Sequence, residues 1–222
     1  SHLVMFGSAI TFPNPSFFGW LGKVLSNQLQ SISAYSERQS FIQEARLTRM
    51  NFMKNLLVRR ATYSDVEKLT ELGILLQQHS EKSNSLIWRI TAEGKALLRE
   101  KVENELVDAK RHTFVAEMNG EIIGFIQGEV EKRTDYFPRT VGSISTAYVV
   151  GNFRRKGVGR MLVKRLCEFF SSEGVEDVTL RYIIGNKEAE RFWEKLGFQP
   201  VITTAKTVLD RLKSGTSVSN SA

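Results

Sequence analysis

The chain has 222 residues, of which 41% are hydrophobic and 25% charged, and its formal net charge is +7. This length suffices for one domain with an appended segment, and no apolar stretch is long enough to span a membrane, which argues against a membrane protein. Cys167 is the single cysteine, so an intramolecular disulfide is excluded and a reducing, cytoplasmic location is expected.

Metal and nucleic-acid binding are disfavoured by the distribution of the relevant side chains. His2, His79 and His112 lack the spacing of metal ligands, so we predict no metal. The positive charge favours polyanionic ligands, but the basic residues do not gather into one run interleaved with aromatics. Nucleic acid is therefore not the expected partner.

Residues 1–54 are predicted to form an N-terminal helical arm. Ser16–Ile32 places apolar side chains on one side of a helix, which suits packing on the adjoining domain or a homodimer through the arm. The arm is also poor in acidic residues, so a mitochondrial transit peptide is a weaker alternative. Met50 and Met53 are alternative starts, which leaves open that part of the arm is not native.

The organised domain is predicted to span residues 55–204, and it begins with a strand and two helices. The first three elements are a strand over Leu56–Arg60, a helix capped by Ser64 and Asp65, and a helix that starts at Thr91. Asn119-Gly120 then predicts a type I′ hairpin between the strands Thr113–Met118 and Glu121–Glu131.

The second half of this domain alternates strands with helices. The predicted elements are strands over Val141–Val150, Asp177–Ile184 and Phe198–Thr203, and helices over Val158–Glu173 and from Asn186 to Gly197. Residues 205–222 form a C-terminal tail, whose serine-rich end is predicted to be disordered.

A basic, glycine-containing turn joins the strand Val141–Val150 to the next helix. Gly157 and Gly159 leave backbone N–H groups open to a close ligand, and the helix N-terminus adds a favourable dipole for an anion. The turn also carries four basic side chains: Arg154, Arg155, Lys156 and Arg160. We therefore expect a site for a phosphorylated ligand.

Two common kinds of phosphate site are excluded by the residues around these glycines. A nucleotide-triphosphatase loop needs a Lys-Ser/Thr pair where this chain has Arg160 and Met161. A dinucleotide site needs a third glycine in fixed order and an acidic residue about 20 residues later.

The pattern Arg-x-x-Gly-x-Gly at Arg154–Gly159 resembles the acetyl-CoA loop of the GNAT N-acetyltransferase superfamily. Asn186–Phe198 is similar to the late signature of that superfamily, Asn-x-x-Ala-x-x-Phe-Tyr-x-x-x-Gly-Phe. The resemblance covers about residues 56–204. It implies a mixed α/β fold with a central sheet of about six to seven strands, flanked by helices.

The resemblance also implies a cofactor site and an activity, namely transfer of the acetyl group of acetyl-CoA to an amine. The residues expected to bind acetyl-CoA are Val149, Val150, Arg154, Arg155, Lys156, Gly157, Val158, Gly159, Arg160, Asn186, Phe192 and Trp193. A backbone N–H near Val150 is expected to polarise the thioester carbonyl, which makes Val150 the predicted oxyanion contact.

The proton chemistry departs from the family pattern. Trp193 stands where many members have a tyrosine that protonates the leaving thiolate, and indole cannot supply a proton at neutral pH. Tyr182 is the substitute proposed here, with Tyr148 as a second. Glu129 and Glu131 share one face of their strand and are the candidates for the base that deprotonates the amine.

Two other functions stay open at this point. The loss of the tyrosine at Trp193 allows a non-catalytic or regulatory CoA-binding module. Trp88–Leu98 looks like the strand-to-helix end of a winged-helix module, which makes a DNA-binding protein the weakest of the three readings.

Overall fold

The computed structural model describes residues 15–216, and the chain divides into two compact units between Lys54 and Asn55. The first unit contains one long helix, α1 (Pro15–Lys54), which includes the segment predicted to be helical. The structure describes the backbone of this segment but not the apolar side chains on which that prediction rested. Dimerisation through this arm stays a prediction.

The second unit is a five-stranded mixed sheet with helices on its two faces. Its strands are β1 (Leu56–Arg60), β2 (Arg111–Met118), β3 (Glu121–Lys132), β4 (Thr140–Val149) and β5 (Asp177–Leu180). Its helices are α2 (Val66–Ser83), α3 (Ala92–Ala96), α4 (Leu98–Val107), α5 (Val158–Ser172), α6 (Lys187–Glu194) and α7 (Leu209–Thr216). Two 3-10 turns, Tyr63–Asp65 and Gly151–Phe153, precede α2 and follow β4.

The strands lie in the order in which they occur in the chain. The pairs from β1 to β4 are antiparallel, and β4 pairs with β5 in parallel. The predicted hairpin is confirmed, because Asn119 and Gly120 both have positive φ, at 52° and 81°, as a type I′ turn requires. The mixed α/β class is confirmed as well, but the described residues form a sheet of five strands rather than the expected six to seven.

The core occupies both faces of the sheet. On one face, α2 and α4 cover a buried cluster of five apolar side chains: Leu69, Leu72, Val115, Ile122 and Phe125. On the other face, α5 buries one apolar side with Val158, Leu162, Leu166 and Phe170. The packing of these helices on both faces of the sheet holds the carboxyl end of β4 in place.

The predicted sixth strand over Phe198–Thr203 is wrong. These residues adopt no regular structure, and the side chains of Val201 and Ile202 are exposed. Phe198 instead packs edge-on against the Trp193 ring at 5.4 Å, and Pro200 has no N–H to donate to a ladder. The fifth strand is also shorter than predicted, because it ends at Leu180 rather than at Ile184.

The helix predicted from Thr91 and the C-terminal tail differ in detail from the structure. The helix predicted from Thr91 is divided at Leu97 into α3 and α4, and Thr91 caps α3 by accepting from the N–H of Gly94 at 3.0 Å. In the tail, α7 continues to Thr216, while residues 217–222 lie outside the described part of the chain.

Candidate active site

The carboxyl half of β4 has a partner on one side only. β5 pairs with Val141–Ile144, whereas β3 follows β4 to Val149. Ser145 is the extra residue of a β-bulge against β3, and the chain after β5 turns towards α2, where Asn84 Nδ2 donates to the carbonyl of Ile184 at 3.0 Å. Among the residues that the structure describes, Ser145–Val149 therefore presents an open main-chain edge, which we call the open edge.

The main-chain group at this edge belongs to Val149 rather than to Val150. Val150 N–H donates to the carbonyl of Ile123 at 2.9 Å, so it points towards β3. Successive N–H groups of a strand point to opposite sides, and the Val149 N–H therefore points towards the open edge. The oxyanion contact predicted near Val150 stays a prediction, but the N–H of Val150 itself is already used within the sheet, so the candidate donor is the N–H of Val149.

The turn after β4 leads into α5, so the N-terminus of this helix lies next to the open edge. Gly157 has φ 99° and is the N-cap residue of α5, a backbone conformation that other residues adopt only with strain. Met161 N–H donates to the Gly157 carbonyl at 3.2 Å, so the N–H groups of Val158, Gly159 and Arg160 have no acceptor within the helix. Such groups suit an anion.

Gly159 has a packing role as well. A Cβ atom at this position would lie 3.2 Å from the Phe192 ring, so glycine lets the start of α5 approach α6 closely. The N-cap of α6 is Asn186, as predicted, with its side-chain oxygen accepting from the N–H of Ala189 at 3.2 Å. The two sequence motifs thus meet at Gly159 and Phe192.

Arg154 joins the basic turn to both β4 and α6. Its Nε donates to the Val149 carbonyl at 2.8 Å, and its terminal nitrogen pairs with Glu188 at 2.6 Å. The guanidinium also lies 5.4 Å from the centre of the Tyr148 ring. Two of the three guanidinium nitrogens of Arg154 are therefore engaged with the protein, and its contact with the cofactor stays a prediction.

The other charges of the turn are distributed differently. Arg155 has a positive φ of 61° and, like Arg160, is exposed, while the Lys156 ammonium lies 5.6 Å from the Phe153 ring centre. Burial and the positive charge of Arg154 lower the pKa of His79 on α2. The lowered pKa disfavours a second positive charge beside Arg154.

The comparisons with known proteins agree with this geometry. The family model described as the acetyltransferase (GNAT) family matches residues 78–198, which is more than half of the chain. The chain belongs to this family. The predicted superfamily resemblance is thereby confirmed, and membership makes the chain an acyltransferase by family.

Two curated relatives of this GNAT chain are N-acetyltransferases from different organisms. It is 31% identical over 86 residues to an uncharacterized N-acetyltransferase of Methanocaldococcus jannaschii, a match that covers 39% of this chain but only 38% of that protein. It is 30% identical to an uncharacterized N-acetyltransferase of Chlorobaculum tepidum, over 53% of this chain and 70% of the relative.

A solved structure shows the same fold at lower identity. A protein from Bacillus halodurans superposes with a TM-score of 0.62 at 20% identity, covering 69% of this chain and 99% of its own. The winged-helix reading of Trp88–Leu98 is wrong, because these residues fall inside the GNAT match and Trp88–Ile90 form no strand.

The aromatic residues of the late motif are engaged in packing. Trp193 is buried, and its ring makes edge contacts with Phe192 at 4.8 Å and with Phe198 at 5.4 Å. These contacts explain the indole at this position of the GNAT motif without a ligand, and its contact with the cofactor stays a prediction. Tyr182, the predicted proton donor, is half-buried two residues beyond the end of β5.

The two carboxylates predicted as bases differ in their surroundings. Glu131 is exposed and bonded to Arg133 at 3.1 Å, and this partner lowers the pKa of the Glu131 carboxyl. A base with a lowered pKa takes up a proton less readily, so Glu131 is the weaker of the two candidates, and its role stays a prediction. Glu129 is partly exposed, and its carboxylate lies 3.7 Å from Arg111 Nε.

Sequence reasoning missed Glu188 and the exact residue at the open edge. Glu188 occupies a variable position of the late motif, and only the fold brings it to Arg154. The strand period predicted which residues lie on β4, but the direction of each N–H depends on the register with β3. Within residues 15–216, the structure has no cluster of three potential metal ligands and no helix long and apolar enough to cross a membrane.

Proposed function

We propose that this chain is an N-acetyltransferase that transfers the acetyl group of acetyl-CoA to a primary amine by direct attack in a ternary complex. The observation that carries the proposal is the adjacency of two main-chain surfaces, the open edge of β4, which has no neighbouring strand, and the start of α5, whose first N–H groups have no acceptor within the helix. One suits an extended amide-containing chain and the other a pyrophosphate, which are the two parts of the CoA arm.

The residues present fit acetyl-CoA as a substrate. The N–H groups from Arg155 to Arg160 would hold its phosphates, and Gly157 and Gly159 keep side chains away from them. Val149 at the open edge would donate its N–H to the thioester carbonyl oxygen. Removal of one such donor in other acyl-transfer enzymes costs about 100- to 1,000-fold in rate.

Two protons must move during the reaction. The acceptor amine must lose one, because a lysine-like amine with a pKa near 10.4 is almost fully protonated at neutral pH. We assign this step to Glu129, directly or through water. Tyr182 is the proposed donor to the departing sulfur, although a thiol with a pKa of about 8.5 can also leave as the thiolate at a cost of about 2 kcal/mol at pH 7.

The test is the release of free thiol from acetyl-CoA by the full chain, with a panel of small amines and peptides that carry free amino groups. We expect release that depends on the amine, together with acetyl-CoA binding measured by calorimetry. Binding of acetyl-CoA without release for any amine would favour the alternative, a non-catalytic or regulatory CoA-binding module. Absence of binding would contradict both.

A cytoplasmic location remains a prediction from the cysteine content. The acceptor is proposed only as a class, since neither the loop Ser80–Trp88 nor the loop Arg133–Arg139 carries a recognisable specificity motif.

A further inference from the structure

A chain of side-chain hydrogen bonds crosses the sheet face below α4 and ends at the open edge. We call it the Gln127 network, and its members are Glu105, Thr113, Gln127 and Ser145. Gln127 Nε2 donates to Thr113 Oγ1 at 3.1 Å and to Glu105 Oε2 at 3.3 Å. Ser145 Oγ has two acceptors on Gln127, the side-chain Oε1 at 3.0 Å and the main-chain carbonyl at 3.3 Å.

The direction of every bond in this network is fixed by the carboxylate at its start. An ionised carboxylate can only accept, so the amide nitrogen of Gln127 must face Glu105 and its oxygen must face Ser145. The other oxygen of Glu105, Oε1, accepts from Arg111 at 3.0 Å. Gln127 and Thr113 are each only 5% exposed, which keeps water from competing for the same bonds.

Ser145 is consequently left with its hydrogen committed and its lone pairs available. A hydroxyl has one donor and two acceptor sites, and the donor is used towards Gln127. The residue is exposed and forms the bulge at which β4 separates from β5, directly before the open edge. A group that meets Ser145 from solvent must therefore donate a hydrogen bond.

We infer that Ser145 binds the acceptor substrate by accepting a hydrogen bond from a donor group close to the reacting amine, and that Gln127 and Glu105 position Ser145 for this. The inference rests on the proposed N-acetyltransferase function. Ser145 and Val149 lie four residues apart on β4, which is about 13 Å on an extended strand, so the group held by Ser145 is a second donor of the substrate and the reacting amine lies farther along the open edge, towards Val149. Ser145 takes no proton in this scheme, because an amide cannot relay one to Glu105.

The test compares Ser145→Ala with Ser143→Ala in thiol-release kinetics and acetyl-CoA calorimetry. Ser143 lies on the same strand, where β5 still pairs with it, so it is a matched control. We expect Ser145→Ala to lower kcat/KM for the amine about tenfold, the size of one lost hydrogen bond, with the acetyl-CoA Kd unchanged. Ser145→Thr, which keeps the hydroxyl, should restore most of the activity.

The positioning role is tested by a double-mutant cycle. Glu105→Gln lets the Gln127 amide turn over, so that its NH2 group would donate to Ser145 and occupy one of the hydroxyl lone pairs, while the Ser145 hydrogen keeps the Gln127 carbonyl as an acceptor. The KM for the amine should then rise about threefold. In the Ser145→Ala background the same change should have no further effect. Equal effects of Glu105→Gln in both backgrounds would refute the positioning role.

The outcomes separate this inference from the proposed function. Unchanged amine kinetics in Ser145→Ala, with an active parent chain, would overturn the role of Ser145 alone. A weakened acetyl-CoA Kd in Ser145→Ala would also overturn it, because the residue would then support the cofactor site. An inactive parent chain would refute the proposed function and the inference together.

Discussion

The basic turn and the Gln127 network lie at the two ends of the open edge, and they are built from different parts of the chain. The turn, Arg154–Arg160, presents main-chain N–H groups of consecutive residues. The network presents side-chain atoms from four elements, α4, β2, β3 and β4, with Glu105 and Ser145 forty positions apart in the numbering.

This difference determines what damages each region. A main-chain site has no side chain to delete, so only a change in backbone conformation or an intruding side chain removes it. A side-chain network loses its function when a single polar atom is removed, because every remaining partner is left unsatisfied. Cofactor affinity and amine kinetics should therefore respond to different substitutions.

The largest effect is expected from Gly157→Glu. The substitution strains the positive φ at this position and puts a carboxylate where the phosphates are proposed to lie. We expect the affinity for acetyl-CoA, measured by calorimetry, to fall about 1,000-fold. The matched control is Gly174→Glu at the other end of α5, where φ is also positive at 69°.

If both variants weaken binding equally, strain in α5 is the cause and the assignment of the turn fails. Gly159→Glu should also abolish binding. It is the less informative variant, because its side chain would collide with Phe192 and disturb the packing of α6.

A smaller effect is expected from Glu129→Gln, which tests the acceptor side. Removal of a general base typically costs about 100-fold or more in rate. We expect kcat to fall about 100-fold and acetyl-CoA affinity to stay the same, since Glu129 lies on β3 away from the basic turn. The pH dependence of the rate should change with it.

Glu131→Gln is the control, because its carboxylate is exposed and bonded to Arg133. A wild-type rate and pH profile in Glu129→Gln would refute Glu129 as the base. A loss confined to Glu131→Gln would restore the second candidate.

The contrast between the two regions also explains what the sequence could predict. The turn was recognisable because two glycines, four basic residues and a helix start are adjacent in the chain, and Asn186 and Gly197 mark the ends of the late helix segment in the same local way. The hairpin at Asn119-Gly120 was predictable for the same reason, since turn geometry depends on local φ.

The rest depends on contacts between distant residues. The N–H that faces the open edge belongs to Val149 because the N–H of Val150 is bonded to Ile123, and no local sequence pattern specifies that register. The strand predicted over Phe198–Thr203 failed because Phe198 packs on Trp193 and Pro200 cannot join a ladder, so tertiary packing overrode local propensity. Ser145 was invisible for the same reason, because its significance arises from a bulge and a buried glutamine.

An effect smaller than those of Gly157→Glu and Glu129→Gln is expected from Arg154→Ala, at the residue that connects the two regions. If Arg154 acts as a brace, its loss frees the Val149 carbonyl and the contact with α6, and kcat/KM should fall about tenfold. Glu188→Gln distinguishes this role from phosphate binding by the sign of its effect. A brace loses strength when Glu188 is neutralised, so the activity of Glu188→Gln should fall in the same direction. If Arg154 instead binds the cofactor phosphate, Glu188 competes with the phosphate for the guanidinium, and neutralising Glu188 should strengthen binding. A tighter acetyl-CoA Kd in Glu188→Gln would therefore support the role of Arg154 that was predicted from the sequence.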